Sequence, residues 1–159
     1  MEGGKSFGEY LAAAAERHPR GSLERVQALG EAYLRFAMEN QAYFRVLFSL
    51  QREDPRRLED LPEGGGFDLL RQAVIDAQET GVIRRTDPDL MALFLWSVAH
   101  GVMTISLACN IEECRGYRAA NAPGTPLDMF RAFREYVHNG IRAEVAPASG
   151  GGDERGAQA

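Results

Sequence analysis

Ser97 and His100 are the two side chains whose types and spacing come nearest to a catalytic pair. They lie three residues apart, so on a helix they share one face, where a hydroxyl can hydrogen-bond to an imidazole. Nucleophilic catalysis also needs a group that orients the imidazole, and the neighbouring sequence supplies no Asp or Glu. We therefore predict that the protein is not an enzyme.

His100 belongs to an apolar stripe with Trp96 and Met103, and two interpretations of it remain open. In the first, it is a core histidine whose ring bonds to a backbone carbonyl or to the hydroxyl of Tyr33 or Tyr43. In the second, it is the single polar contact inside an apolar pocket for a small molecule. In either environment, burial would favour the neutral imidazole and lower its pKa.

Motifs that bind phosphate or metal ions are incomplete in this chain. The glycines at 64–66 precede a predicted helix, but no strand comes before them and no Lys-Ser/Thr follows, as a P-loop requires. Cys109 and Cys114 are five apart and have no histidine nearby, so neither zinc nor a disulfide framework is supported. We predict no metal site and no cofactor.

The composition is that of an ordinary globular domain. The 159 residues are 45% hydrophobic and 26% charged, which suits one soluble domain. The net charge is −5 and the 18 basic residues are scattered, so no basic face for nucleic acid is visible. The N-terminus lacks the basic flank and apolar core of a secretory signal, and we predict a cytoplasmic protein.

The segment from Leu90 to Ile111 contains no Asp, Glu, Lys or Arg. Such a segment is either a membrane span or the central helix of an all-helical domain. Polar residues interrupt it and no aromatic belt frames its ends, so we predict a buried helix and no membrane. Bulky residues form one stripe along it: Leu93, Trp96, His100, Met103 and Leu107. Small residues, which let another helix approach closely, form a second: Ser97, Gly101, Thr104 and Ala108.

Apolar spacing is helical almost throughout and predicts an all-α bundle of about six helices. The predicted bounds and signals, in chain order, are a helix from Ser6 to Arg17, an N-cap at Ser22, a helix end at Asn40, a short aromatic helix over 43–48, a loop over 51–66, a helix that begins near Phe67 and is followed by Gly81 in the left-handed conformation, and helix starts at Asp87-Pro88 and Thr125-Pro126. The last helix is predicted to end near Val145, before a disordered Gly-rich tail.

The last predicted helix carries a wide apolar face. One stripe holds Leu127, Phe130, Val137 and Ile141, and an adjoining one holds Met129, Phe133, Tyr136 and Gly140. This width predicts a four-helix interface between two copies of the chain, with two helices from each. The residues predicted at that interface are Ser97, Gly101, Ala108, Phe130, Phe133, Val137 and Ile141. The alternative is a single core whose last helix is merely hydrophobic.

Several motifs resemble those of a known family. They are Trp96-x-x-x-His100-Gly101, Gly81-Val-Ile-Arg with Asp87-Pro88-Asp-Leu, Leu29-Gly-Glu-Ala-Tyr33-Leu-Arg-Phe36-Ala-Met-Glu-Asn40 and Tyr43-Phe-Arg-Val-Leu-Phe48. From Ser22 to Ala143 the chain resembles the C-terminal, effector-binding domain of TetR-type transcriptional regulators, in the subgroup with a Trp, His, Gly signature. Gln41 departs from the pattern, because proline is common after the asparagine.

This resemblance implies a homodimer in which an apolar small molecule enters each helical bundle and shifts a long connector helix. We predict a ligand pocket formed by Tyr33, Tyr43, Phe44, Phe48, Trp96, His100 and Met103. The implied division is a connector remnant over 1–20, a ligand-binding and dimerisation domain over 21–146 and a disordered tail over 147–159.

The family reads DNA through an N-terminal helix-turn-helix of about fifty residues, and nothing before Phe7 matches one. We therefore expect DNA contact only through a missing domain. The chain is then a fragment, a protein whose start was assigned at an internal methionine, or a stand-alone sensor, and the first two are favoured. The competing function is a stand-alone helical module that binds another protein's helices.

Overall fold

The computed structural model describes residues 7–49, 65–108 and 125–142. Within these ranges the chain forms six α-helices, which confirms the predicted all-α bundle. They are α1 (Phe7–Ala15), α2 (Leu23–Glu39), α3 (Gln41–Ser49), α4 (Gly66–Glu79), α5 (Pro88–Ala108) and α6 (Pro126–Ile141). Residues 51–64 of the loop predicted over 51–66 and the tail over 147–159 lie outside the described residues, and α4 begins at Gly66, one residue earlier than predicted.

Three helices begin at the caps that the sequence predicts. Ser22, Asp87 and Thr125 each accept a hydrogen bond from a backbone N–H in the first turn of the following helix, at 2.9 to 3.2 Å. These bonds satisfy donors that the helix itself leaves without an acceptor. Gly81 follows α4 with φ +78°, the left-handed conformation predicted for it.

The helix ends differ slightly from the prediction. The last helix ends at Ile141 and not near Val145, because the chain turns to pair its backbone with the segment after α4. The Ile141 carbonyl accepts from the N–H of Arg84 at 2.9 Å, and Ile83 forms an isolated antiparallel bridge with Arg142. Since Ile83 is fully buried, this pairing closes the bundle at the ends of α4 and α6.

α2 is the central helix of the bundle. It contacts each of the other five helices, and its apolar side chains are buried on more than one side. α5 crosses it and also packs on α4 and α6. The fully buried side chains that join these helices are Leu34, Val74, Ile83 and Met103. This packing fixes the positions of α2 and α5 relative to each other, and so the positions of the side chains that lie between them.

α5 is more apolar than its packing within the chain requires. By length and composition alone it is long and apolar enough to cross a membrane, with mean hydropathy 1.8. Only 28% of its most apolar stretch is buried, and Leu90, Phe94 and Ile105 are exposed. The sequence predicts that this helix is buried on both sides, but within a single chain only one side is buried. Ser97, on the small-residue stripe, faces outward.

Candidate functional site

The centre of the candidate site is a hydrogen bond between two helices. The hydroxyl of Tyr33 on α2 lies 2.8 Å from Nδ1 of His100 on α5. Tyr33 is buried and His100 is half-buried. The Tyr33 hydroxyl is one of the partners that the sequence suggested for His100. A buried phenol and a partly buried imidazole thereby satisfy each other where α2 and α5 meet.

Trp96 forms a second hydrogen bond with the Tyr33 hydroxyl. Burial raises the pKa of Tyr33 above its ordinary value of 10, and a hydrogen bond with the Trp96 side chain opposes that rise. An indole N–H can only donate, so the Tyr33 oxygen accepts the hydrogen bond from Trp96, whereas the direction of its bond with His100 follows the tautomer of the imidazole. Burial also lowers the pKa of His100. At neutral pH all three groups are therefore uncharged.

Aromatic rings surround the hydrogen-bonded groups of Tyr33, Trp96 and His100. The Phe44 ring lies 5.5 Å from the His100 ring and 6.1 Å from the Tyr33 ring, between centroids. The Trp96 and His100 rings are 6.2 Å apart. We call these four residues, Tyr33, Phe44, Trp96 and His100, the aromatic cluster. Met103, one turn beyond His100, is fully buried.

Two phenylalanines that the sequence did not assign to the site also contact the cluster. Phe7 of α1 meets Tyr33 edge to face at 5.6 Å, and Phe67 of α4 lies 5.9 Å from Trp96. Both occupy the first turn of a helix, on the apolar faces that the sequence predicts. That spacing identifies a buried face but not which other helix it meets. Gly66 makes room for Phe7, since a Cβ there would stand 2.4 Å from the Phe7 ring.

The structure does not bring every predicted pocket residue to the cluster. Tyr43 is 54% exposed, and its ring packs against Phe36 at 6.0 Å. Phe48 lies outside the residues whose side chains the structure describes. Five of the seven predicted pocket residues are thus placed at or beside the cluster: Tyr33, Phe44, Trp96, His100 and Met103.

The residues predicted at the dimer interface divide into two groups. Ser97, Ala108 and Phe133 are exposed, and Gly101 is half-buried, with space around it in which a Cβ would meet no atom within 4 Å. The other three, Phe130, Val137 and Ile141, turn inward and line a groove against α2 and α5. They do so because α6 packs on both helices with that side, so these three serve the chain's own packing.

Charged side chains are paired at the edge of the bundle. The Glu31 carboxylate on α2 accepts hydrogen bonds from Nε and Nη2 of Arg131 on α6, both at 3.1 Å, and one from Nη1 of Arg134 at 3.4 Å. The hydrogen bond from Arg131 holds the pKa of Glu31 below its ordinary value. Among the described residues, no group of three or more His, Cys, Asp or Glu is placed to hold a metal ion.

Comparisons with known proteins agree with this architecture. Residues 26–112 match the family model described as the tetracyclin repressor-like C-terminal domain. A solved structure of a protein with unknown function from Rhodococcus sp. RHA1 superimposes with a TM-score of 0.62 and 22% sequence identity. The match covers 86% of this chain and 67% of that one, and at this identity it shows the fold alone. No curated protein matches.

Proposed function

The chain belongs to the tetracyclin repressor-like C-terminal domain family, and from this premise we propose that it is the effector-sensing and dimerisation part of a TetR-type transcriptional regulator. The aromatic cluster is its effector site. The effector is an apolar, uncharged small molecule, and DNA is contacted by a separate domain. The bond between Tyr33 and His100 inside the cluster carries this proposal.

The chemistry of the cluster favours such a molecule. Its side chains are aromatic, and its polar atoms belong to neutral groups that already bond to one another. A carboxylate or ammonium placed there would lose its hydration without meeting an opposite charge. A flat, uncharged ring system instead stacks on Phe44 or Trp96 and needs at most one hydrogen bond.

The experiment uses Trp96, the single tryptophan of the chain, as an intrinsic fluorescent reporter. Substituted benzenes without charge are titrated into the protein beside the matching benzoates. We expect the uncharged members to change the emission saturably and the benzoates to do so far more weakly. His100→Leu should weaken the response, while Tyr43→Phe, at an exposed ring, should leave it unchanged. Equal binding of both series, or an unaltered response in His100→Leu, would contradict the proposal.

The proposal of a homodimer rests on exposed apolar side chains. Among the described residues, seven large hydrophobic side chains are exposed, and five of them lie on α5 and α6. We call the side of α5 and α6 that carries them the outer face, and it consists of Leu90, Phe94, Ser97, Gly101, Ile105, Ala108, Phe133 and Tyr136. An apolar face of two helices in water is an unfavourable surface, and a second copy would cover it as a four-helix interface.

Gly101→Leu tests this interface without disturbing the packing within a single chain. A Cβ at Gly101 meets no atom within 4 Å, and leucine is a better helix former than glycine. We expect the variant to fold and to sediment as a weaker dimer, because leucine would separate the two copies. Ala13→Leu, on the exposed side of α1, is the matched control. A dimer mass that is unchanged in Gly101→Leu would remove the outer face as the interface.

A further inference from the structure

The aromatic cluster and the outer face lie on two sides of the same helix. Trp96 and His100 of the cluster are each followed directly along α5 by a residue of the outer face, Ser97 and Gly101. Neighbouring positions of an α-helix point roughly a quarter turn apart. A displacement of α5 at the cluster therefore carries the α5 part of the outer face with it.

The rings of the cluster are packed against one another. The Phe44 ring of α3 lies 5.5 Å from the His100 ring of α5, between centroids. A flat molecule between these two rings needs a separation of about 7 Å, the sum of two carbon contacts of about 3.5 Å each. Phe44 is buried, and His100 is held by its bond to Tyr33. To admit such a molecule, α5 moves away from α3 until the two rings are about 7 Å apart.

The side of α5 that faces away from the cluster has room for this movement. Val98 stands two positions from both Trp96 and His100, so it points about 160° away from each of them. It lines an apolar groove between α2, α5 and α6 whose cavity volume is about 40 Å³. Since protein interiors are otherwise close-packed, this unfilled space lets α5 shift without compressing other side chains.

α6 does not follow α5, because it is anchored to α2. The Phe130 ring rests on α2 at Gly30, where a Cβ would stand 2.5 Å from its tip. Glu31 of α2 accepts hydrogen bonds from Arg131 and Arg134 of α6. A shift of α5 toward the groove thus changes the distance between α5 and α6. Both helices contribute side chains to the outer face, so its shape changes with that distance.

We propose that effector binding and dimerisation oppose each other through α5, an inference that rests on the proposed effector site and the proposed interface. The outer face fits a second copy while the rings of the cluster are in contact. A molecule between Phe44 and His100 moves α5 out of that arrangement. Such coupling is reciprocal, so the dimer binds the effector more weakly than the single chain does. The effector thereby regulates the protein by shifting it from dimer to single chain.

The test uses the full chain, with methyl benzoate as the uncharged probe and sodium benzoate as the charged one. Sedimentation equilibrium gives the dissociation constant of the dimer, and Trp96 emission gives the affinity for the probe. We expect saturating methyl benzoate to raise the dissociation constant by about 25-fold or more, because a dimer has two sites and coupling is typically about fivefold or more at each. Sodium benzoate at the same concentration should leave it unchanged.

Two variants test the reciprocal effect on the affinity for methyl benzoate. Gly101→Leu, which the proposed interface predicts to weaken the dimer, should bind the probe about fivefold more tightly at a protein concentration where the parent is a dimer. A Cβ at Gly101 meets no atom within 4 Å, so the variant leaves the cluster of its own chain in place. Ala13→Leu is the matched control and should bind the probe as the parent does. Circular dichroism verifies that each variant is folded.

The outcomes separate the coupling from the proposals on which it rests. No saturable change in Trp96 emission would remove the effector site, and a single-chain mass at every protein concentration would remove the homodimer. Either result removes the coupling as well. A parent that dimerises and binds methyl benzoate, but with an unchanged dimer dissociation constant and the same probe affinity as Gly101→Leu, would overturn the coupling alone. A dimer that methyl benzoate strengthens would also overturn it.

Discussion

The Tyr33 hydroxyl on α2 lies 2.8 Å from Nδ1 of His100 on α5, and this contact joins residues 67 positions apart. The same hydroxyl is bonded to the Trp96 side chain. One oxygen atom therefore satisfies two polar groups inside an aromatic enclosure. Its removal would leave both an indole donor and an imidazole nitrogen without that partner, each on a half-buried side chain.

Tyr33→Phe should consequently destabilise the fold by about 1–3 kcal/mol, the cost of leaving a buried polar group without its partner. The ring and its contacts with Phe7 and Phe44 are retained, so the loss reports on the hydroxyl. Urea unfolding of the parent and the variant measures the difference. Tyr43→Phe removes an exposed hydroxyl and should change stability by less than about 0.5 kcal/mol. Equal effects at the two positions would show that the Tyr33 hydroxyl contributes nothing special.

The pH dependence of stability should carry a contribution from His100. Burial lowers the pKa of His100 below its ordinary value of 6.5. Below pH 6.5 the unfolded chain binds a proton that the folded chain resists, so stability falls as the pH drops from 6.5 toward the folded pKa. Above pH 6.5 both states are neutral at this residue and the contribution is constant.

His100→Leu should remove that part of the pH profile, as measured by urea unfolding between pH 7.5 and about 5. His18→Gln, in the turn after α1, serves as the comparison variant. The carboxylates Glu31 and Asp76 act in a lower window, because their arginine partners lower the pKa of each. Their contribution is lost as the pH falls below about 4.5, so it does not overlap. A slope near pH 6 that persists in His100→Leu would refute the assignment.

Much of the architecture follows from local sequence signals. Helix starts are marked by Ser22, Asp87 and Thr125, because their short polar side chains accept hydrogen bonds from the first backbone N–H groups of the helix. The two-sided character of α5 follows from the spacing of its bulky and small residues. For His100 the sequence left three possible hydrogen-bond partners open: a backbone carbonyl, Tyr33 and Tyr43. The partner is Tyr33 because α2 and α5 cross at these two residues.

Other features depend on how helices pack, which spacing alone does not determine. The sequence placed Phe130, Val137 and Ile141 at a dimer interface because α6 is apolar over a wide arc. The structure uses that part of the arc against α2, where Gly30 admits the Phe130 ring. Phe7 and Phe67 reach the aromatic cluster from two other helices. Distances between elements remote in sequence decide such contacts, and a periodic pattern contains no information about them.

Gly21 and Gly81 allow conformational and steric costs to be measured separately. Both have positive φ, +76° and +78°, where a side chain costs about 1–2 kcal/mol. At Gly81 a Cβ meets nothing within 4 Å, whereas at Gly21 it would stand 2.4 Å from the Thr80 methyl group. Gly81→Ala should therefore cost about 1–2 kcal/mol and Gly21→Ala clearly more, by chemical denaturation. Equal costs would mean that Thr80 moves aside freely.

Gly30 presents the reverse of the usual helix rule. In an exposed helix interior, Gly→Ala stabilises by up to about 1 kcal/mol. At Gly30 the new Cβ would meet the tip of the Phe130 ring at 2.5 Å, and the ring has the α2 backbone beneath it. Gly30→Ala should thus push α6 outward and destabilise the fold by about 1–3 kcal/mol.

Gly140→Ala is the matched control for Gly30→Ala, because it lies in α6 and its Cβ meets nothing within 4 Å. It should be neutral or stabilising in the same urea unfolding experiment. The double variant Gly30→Ala with Phe130→Leu should recover part of the lost stability, since the shorter side chain no longer reaches the new methyl group. If Gly30→Ala alone stabilised the protein, Phe130 would not be seated on α2, and the wall that it contributes to the groove would be absent.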